Sequence, residues 1–258
     1  MKRPFIASIS GKGGSGKTTL SALLLKVLLE KNTDDIILMV DADPAMNLHE
    51  VLGVEVKESI SDIAEEFRRT VDKIDIALGF SKDALLEYWV YRAIVESKGF
   101  DLLAMGRGEG EGCYCYINTV LTRILGKLSK NYSVILMDME AGLEHLSRRT
   151  DRYVDTLIVV VDPSIMSFKT AEKIKQIVKE VKIDAKYMYV VGNRLSKSIE
   201  ERLYKWSEDV GYQVAGVIPE DEKILEYSIR GKPLLELPEN SDAVKAARMI
   251  ARNIGLID

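Results

Sequence analysis

Residues 11–18 read Gly-Lys-Gly-Gly-Ser-Gly-Lys-Thr and directly follow the apolar run at residues 5–10. The spacing between Gly11 and Gly16-Lys17-Thr18 is that of a phosphate-binding loop (P-loop), whose small residues let backbone N–H groups converge on phosphate oxygens. The mostly apolar residues 20–29 predict a helix whose positive end points at the same phosphates. This order of strand, loop and helix predicts an α/β fold that binds a nucleotide.

Each part of the loop has a predicted role. Lys17 is expected to neutralise the terminal phosphates, and Thr18 is expected to ligate Mg²⁺. A dinucleotide-binding loop shares the glycines at 11, 13 and 16 but makes no use of the pair Lys17-Thr18, so a nucleoside triphosphate is favoured. The residues predicted to hold it here are Gly11, Lys12, Gly13, Gly14, Ser15, Gly16, Lys17, Thr18 and Thr19.

Length and composition exclude several classes of protein. The chain has 258 residues, of which 47% are hydrophobic, and it suits a single domain over residues 1–258. The formal net charge is −4 and the charges are interspersed, so nucleic-acid binding is not indicated. Apolar stretches all fall short of the roughly 18 residues that a membrane span needs, and the N-terminus leads straight into the first strand. We therefore expect a cytoplasmic protein.

Short β-branched runs alternate with helical patterns along the chain. This predicts a P-loop NTPase fold with a mostly parallel sheet of seven or eight strands and helices on both faces. Strands are predicted at residues 5–10, 36–40, 102–105, 134–137, 156–161, 187–191 and 214–217. Helices are predicted after the first strand and at residues 60–70, 83–96, 116–130, 167–181, 199–210, 221–229 and 242–253. Ligands of such sheets bind beyond the carboxyl ends of the strands.

Three aspartates follow strands at that edge of the sheet. Asp41 and Asp43 come after the second predicted strand, and Asp138 comes after the fourth. Asp138, with Asp41 as a second partner, is predicted to hold the waters of Mg²⁺, and Asp43 is predicted to orient the water that attacks the terminal phosphate. The alternative is that they cap helices or shape turns. Their position beside a P-loop favours the catalytic interpretation.

Lys12 is not needed by a simple P-loop, and with it the loop resembles the deviant Walker A family. This family includes the Min and Par partition ATPases and the nitrogenase iron protein. The resemblance implies an ATP-hydrolysing homodimer in which Lys12 reaches the partner's nucleotide and acts with Lys17 and Asp43 in catalysis, while Asp138 opens the second switch segment. Without the resemblance, Lys12 would be read as a solvated lysine beside phosphate.

The resemblance extends towards the C-terminus. Asn193 and Arg194 follow the sixth predicted strand and are similar to the family's adenine-contacting segment. Asn193 carries both a donor and an acceptor, as recognition of an adenine edge requires. Pro219, Glu220 and Asp221 follow the seventh predicted strand and resemble the second adenine-side loop, although a proline before a helix is also common for local reasons.

The two cysteines of the chain, Cys113 and Cys115, lie in a loop rich in Gly and Glu at about residues 106–116. A disulfide across one residue would be strained, and cytosolic thiols are kept reduced. A closed tetrahedral metal site needs four ligands, which a two-fold dimer can supply as two pairs of thiolates. His49 and His145 are not included, because a lone histidine is more often structural.

The cysteine pair and residues 138–146 together resemble the CooC-type ATPases, which are nickel-insertion accessory proteins of carbon monoxide dehydrogenase. The resemblance implies that ATP and Mg²⁺ drive a dimer that binds Ni²⁺, or Zn²⁺ in its place, through Cys113 and Cys115 of each subunit. Two alternatives remain open. One is a MinD- or ParA-like spatial-organisation ATPase. The other is an iron–sulfur electron donor like the nitrogenase iron protein, although the cluster ligands of that protein come from well-separated segments and not from neighbouring positions such as Cys113 and Cys115.

Overall fold

The described residues form one sheet of eight strands, which carries the P-loop on its central strand. The computed structural model describes residues 3–31, 33–66, 69, 88, 91–107, 129–140, 153–181 and 183–258. The strands are β1 (Phe5–Gly11), β2 (Ile37–Ala42), β3 (Ile94–Ser97), β4 (Phe100–Ala104), β5 (Val134–Met139), β6 (Tyr153–Val161), β7 (Asp184–Asn193) and β8 (Gln213–Ile218). Their order is β3-β4-β2-β5-β1-β6-β7-β8, and the pairs are parallel except for β3 with β4. The predicted mostly parallel sheet is confirmed.

Helices cover both faces of this sheet. The described helices are α1 (Lys17–Glu30), α2 (Leu48–Leu52), α3 (Ile165–Glu180), α4 (Lys197–Val210), α5 (Glu222–Ile229) and α6 (Asp242–Asn253), and residues 60–66 are also helical. Short 3₁₀ turns occur at Ser129–Asn131 and Leu234–Glu236. Side chains cap three of these helices: Ser164 for α3, Asp221 for α5 and Ser241 for α6 each accept a hydrogen bond from a first-turn N–H.

Alternating residues of the sheet feed two separate cores. Ala7 and Ile9 of β1 point to the layer of α1 and α6, where α1 is buried along most of its length because it is rich in leucine. Ile6 points to the opposite layer, which contains residues of α3 and α4 such as Ile174 and Leu203. Successive side chains of a strand face opposite sides. Residues 7–11 of β1 are all buried, including the small polar Ser8 and Ser10, so both faces of this strand are covered.

One predicted helix is partly wrong. Residues 83–96 were expected to be helical, but residues 94–96 belong to β3, and of the remainder only residues 88 and 91–93 are described, as helix. Ile94 and Val95 are both β-branched, which favours a strand. They pair with Leu103 and Leu102 of β4. Gly99, at φ 87°, allows the tight turn between the two strands. Of the helix predicted at 116–130, only residues 129 and 130 are described, in a 3₁₀ turn.

Candidate functional site

The P-loop conformation depends on its glycines. Gly11, Gly14 and Gly16 have φ values of 146°, 77° and 101°, which residues with a Cβ rarely adopt. A Cβ on Gly11 would lie 2.4 Å from the carbonyl oxygen of Val160, and one on Gly16 would lie 2.1 Å from Nδ2 of Asn193. The glycines at 11 and 16 therefore serve close backbone contacts as well as the turn.

A cavity of about 1030 Å³ opens beside the P-loop. It is lined by Gly13, Gly14, Gly16, Lys17, Thr18, Thr19, Asp43, Asn47, Val51, Asn193, Arg194, Pro219, Glu220, Asp221, Glu222, Ile224, Leu225 and Ser228. The fold thus brings the predicted phosphate residues, the predicted switch aspartate and both predicted adenine-side segments to one cavity. Gly11, Lys12, Ser15, Asp41 and Asp138 are not among its lining residues.

Lys17 stands at the first position of α1, directly after Gly16. Its side chain is largely buried, and the N-terminal end of α1 carries the partial positive charge of unpaired N–H groups. Thr18 and Thr19 line the cavity beside it. Charge, helix end and open loop backbone at one place suit the binding of phosphate groups.

Asp41 and Asp138 lie side by side, because β2 and β5 pair them in register. Both are buried. Burial, with the neighbouring charge of Asp138, raises the pKa of Asp41 to about 7. Burial also raises the pKa of Asp138 to about 6, although Thr18 and Lys17 oppose the shift. A cation bound beside these two buried carboxyl groups would stabilise their ionised forms.

The two carboxylates differ in how their oxygens are used. No hydrogen bond of good geometry reaches either oxygen of Asp138 from a described residue, although the hydroxyl groups of Thr18 and Ser21 lie close enough to lower its pKa. Asp41 accepts from the N–H groups of Asp43, at 3.2 Å, and Leu48, at 3.0 Å. Carboxylate oxygens beside the P-loop fit a group that holds the waters of Mg²⁺, which would neutralise phosphate charge when bound. Asp138 and Thr18, with Asp41 as the second partner, remain the residues predicted to hold this ion, and Asp41 also shapes the loop that follows β2.

Asp43 lies in that loop and lines the cavity. Its Oδ1 accepts a hydrogen bond from Ala45 N at 2.9 Å, and its carbonyl oxygen accepts one from Met46 N at 2.9 Å. Met46 has φ 51°, so the turn is tight before α2 begins. The predicted role of Asp43 in orienting water remains a prediction, and its place on the cavity wall is compatible with it.

Lys12 is held away from the cavity by Asp162. Its Nζ lies 3.3 Å from Oδ2 of Asp162 and donates a longer hydrogen bond of 3.4 Å to the carbonyl oxygen of Gly13. Burial would raise the pKa of Asp162, but hydrogen bonds from Ser164 and Lys12 outweigh it and hold that pKa below its usual value. Sequence reasoning missed Asp162, although it directly follows β6 and an acid after a strand was the signal used elsewhere.

The second adenine-side segment is fixed by capping contacts. Asp221 accepts hydrogen bonds from Lys223 N at 2.9 Å, Ser241 Oγ at 2.6 Å and Ala243 N at 3.1 Å. These contacts tie the start of α5 to the start of α6. Asp221 lines the cavity, but its carboxylate already serves two helices, so a direct nucleotide contact by that group is not indicated. Pro219 and Glu220 precede it on the same wall.

Several predicted residues fall outside the described part of the chain. They are the predicted metal ligands Cys113 and Cys115, with most of the loop at 106–116. Within the described ranges, no group of three or more His, Cys, Asp and Glu side chains could hold a metal ion. None of the helices in those ranges is long and apolar enough to cross a membrane.

The fold and the loop define a P-loop ATPase. Residues 6–234 match the CobQ/CobB/MinD/ParA nucleotide binding domain, and the chain belongs to that family of nucleotide-binding ATPases. It is 43% identical over 249 residues to an uncharacterized ATP-binding protein of Methanocaldococcus jannaschii, a match that covers 96% of this chain and 98% of the relative. The expected ATP-hydrolysing enzyme and its fold class are thereby confirmed.

Two further relatives are informative. The chain is 29% identical over 231 residues to the carbon monoxide dehydrogenase accessory protein CooC of Rhodospirillum rubrum, which covers 84% of each chain. It is also similar to the septum site-determining protein MinD of Pyrococcus horikoshii, solved with Mg-ADP, at a TM-score of 0.68 and 26% identity over 97% of this chain and 95% of that one. The chain is therefore similar to members of two of the three groups that the sequence suggested.

Proposed function

We propose that the protein is a dimeric, ATP-driven metal-delivery protein that binds Ni²⁺ and assists its insertion into a carbon monoxide dehydrogenase. The carrying observation is the coincidence of two features: likeness to CooC over most of the chain and a Cys-Tyr-Cys sequence that holds both cysteines of the chain. Thiolates bind both Ni²⁺ and Zn²⁺, so the ligands do not identify the metal. Nickel is proposed because the proposed client enzyme uses it. The thiols would stay reduced in the cytoplasm, where we place the protein.

The position of Lys12 supports a dimer. Lys17 lines the nucleotide cavity, whereas Lys12 lies outside it and its side chain is 37% exposed. A lysine outside its own cavity can serve the phosphates of a second copy once it leaves Asp162. A two-fold dimer would also bring the cysteine pairs of both copies together and complete four sulfur ligands.

In the proposed cycle, ATP with Mg²⁺ binds the P-loop and favours the closed dimer. Lys12 then crosses to the partner's phosphates, and the loop carrying Asp43 adopts its hydrolytic position. Dimer closure changes the geometry of the four-sulfur site, and hydrolysis resets it. The metal is cargo in this scheme, whereas Mg²⁺ belongs to the ATPase site.

The test is nickel binding by a Cys113→Ala/Cys115→Ala variant. Wild-type protein is expected to bind one Ni²⁺ per dimer in equilibrium dialysis, and the variant is expected to bind none at the same free concentration, because two thiolates per subunit are lost. Circular dichroism and calorimetric titration with ATP show whether the variant retains its fold. Undiminished nickel binding by the variant would contradict the site assignment.

A MinD- or ParA-like role in spatial organisation is the rival function, and the family match supports it as a class. A basic amphipathic helix could serve a membrane, but the main apolar face of α6 is buried in the fold: Ala243, Val244, Ala247, Ile250 and Ala251 are inaccessible, whereas Met249 on the other side of the helix is 63% exposed. That apolar face is therefore unavailable for insertion into a bilayer. Co-sedimentation with liposomes or DNA in the presence of ATP would favour the rival.

A further inference from the structure

Two carbonyl groups of the P-loop accept hydrogen bonds from the last residue of β7 and the residue after it. Asn193 Nδ2 donates a hydrogen bond of 2.8 Å to the carbonyl oxygen of Ser15, and Arg194 Nη2 donates one of 3.1 Å to the carbonyl oxygen of Gly14. The two acceptors are consecutive, and so are the two donors. About 180 residues separate donors from acceptors along the chain, so tertiary folding alone creates this contact.

The geometry of both donors is constrained. Asn193 is buried, and its amide lies where a Cβ on Gly16 would be, 2.1 Å away. Arg194 has φ 57°, and its N–H donates to the carbonyl oxygen of Ile218 in β8 at 2.9 Å. The backbone of Arg194 is therefore fixed to the sheet while its side chain reaches the loop. A non-glycine residue at positive φ is uncommon and points to a specific local requirement.

A P-loop binds phosphate only when its N–H groups converge, and its carbonyl groups then point the opposite way. Any group that holds those carbonyls sets the direction of the N–H groups. We propose that Asn193 and Arg194 are positioning residues for the phosphate loop, in addition to any contact with the base. The segment expected to contact adenine then also fixes the conformation of the loop expected to bind phosphate.

This arrangement has a consequence for binding. If the two residues served the base alone, their removal would weaken ATP but leave a ligand without a base unaffected. If they position the loop, their removal weakens both ligands. Inorganic tripolyphosphate with Mg²⁺ is the probe that separates the two cases, because it offers the phosphate groups and no base.

The experiment measures calorimetric affinities of Mg-ATP and Mg-tripolyphosphate for wild type, Arg194→Ala and Asn193→Ala. Loss of one hydrogen bond to a loop carbonyl is expected to weaken tripolyphosphate roughly fivefold for the exposed Arg194 and about tenfold for the buried Asn193. Alanine keeps the Cβ, so Arg194→Ala does not relax the backbone strain. Arg194→Lys retains a donor and is expected to recover part of the affinity.

Arg202→Ala is the matched control, because it removes the same side chain from an exposed position in α4 that does not line the cavity. It is expected to bind tripolyphosphate within about twofold of wild type. Thermal unfolding checks the fold of each variant, and the exposed Arg194 keeps the test usable if Asn193→Ala fails to fold. Tripolyphosphate affinity that stays within twofold of wild type in Arg194→Ala would overturn the proposal.

Discussion

The contact between Lys12 and Asp162 predicts that removal of one negative charge strengthens the proposed dimer. If Lys12 must leave Asp162 before it can reach a partner's nucleotide, the ion pair opposes dimer formation once in each copy. Asp162→Asn removes the charge but leaves an oxygen that can still accept the hydrogen bond of 2.9 Å from Ser164 N. The start of α3 should therefore keep its structure.

The size of the effect follows from the exposure of the pair. The side chains of Lys12 and Asp162 are 37% and 10% exposed, and their charged atoms are 3.3 Å apart. Ion pairs that are open to solvent contribute about 0.2–1 kcal/mol. Two copies per dimer give about 0.4–2 kcal/mol, so the dimer dissociation constant should fall by about twofold to thirtyfold.

The assay is sedimentation equilibrium of wild type and Asp162→Asn with Mg²⁺ and a non-hydrolysable ATP analogue. Asp184→Asn, which removes the same charge from an exposed position at the start of β7, is the matched control and should leave the constant unchanged. The difference between wild type and Asp162→Asn should shrink at high salt, because the ion pair is partly screened. A dimer that is unchanged or weaker in Asp162→Asn would refute the reasoning.

Two further predictions concern Gly16 of the P-loop and Asp138 of β5, the strand that pairs with β1. Asp138→Asn should stabilise the nucleotide-free protein by about 1–3 kcal/mol at pH 7 in urea unfolding, while Mg²⁺-dependent ATP hydrolysis is lost. Burial raises the pKa of Asp138 from 3.8 to about 6, so wild type loses stability as the pH rises through that window; a gain that does not shrink towards pH 4 would contradict this. Gly16→Ala should weaken ATP at least tenfold in calorimetry, because its Cβ would lie 2.1 Å from Asn193 Nδ2 at φ 101°. Gly231→Ala, at φ 61° with open space around the new Cβ, is its control, and equal losses would argue against the clash.

Much of the fold was predictable because the signals are local. The apolar strands and the helix after the P-loop follow from periodicity, and the P-loop follows from its glycines together with the pair Lys17-Thr18. The exception, β3, is instructive. Residues 94–97 carry too short a pattern to separate strand from helix, and pairing with β4 decides between them.

The roles of the aspartates divide along the same line. The sequence predicted Asp41, Asp43 and Asp138 after strands, whereas Asp41 and Asp138 are the second-to-last residues of β2 and β5 and only Asp43 follows a strand. All three still lie near the predicted edge of the sheet. The sequence could not show that each oxygen of Asp41 accepts a backbone N–H, from Asp43 or from Leu48, while neither oxygen of Asp138 receives a well-formed hydrogen bond from a described residue. Hydrogen-bond partners depend on loop paths, which local sequence does not define.

The sequence by itself determined the P-loop, the alternation of strands and helices, and the presence of an extra lysine and a cysteine pair. Each of these is written in residues that are neighbours along the chain. Only the tertiary structure decided that Lys12 contacts Asp162, which is 150 residues away, and that Asn193 holds Ser15, which is 178 residues away. Such contacts arise where parallel strands end at a common edge, because the sheet brings distant loops together regardless of their separation in sequence.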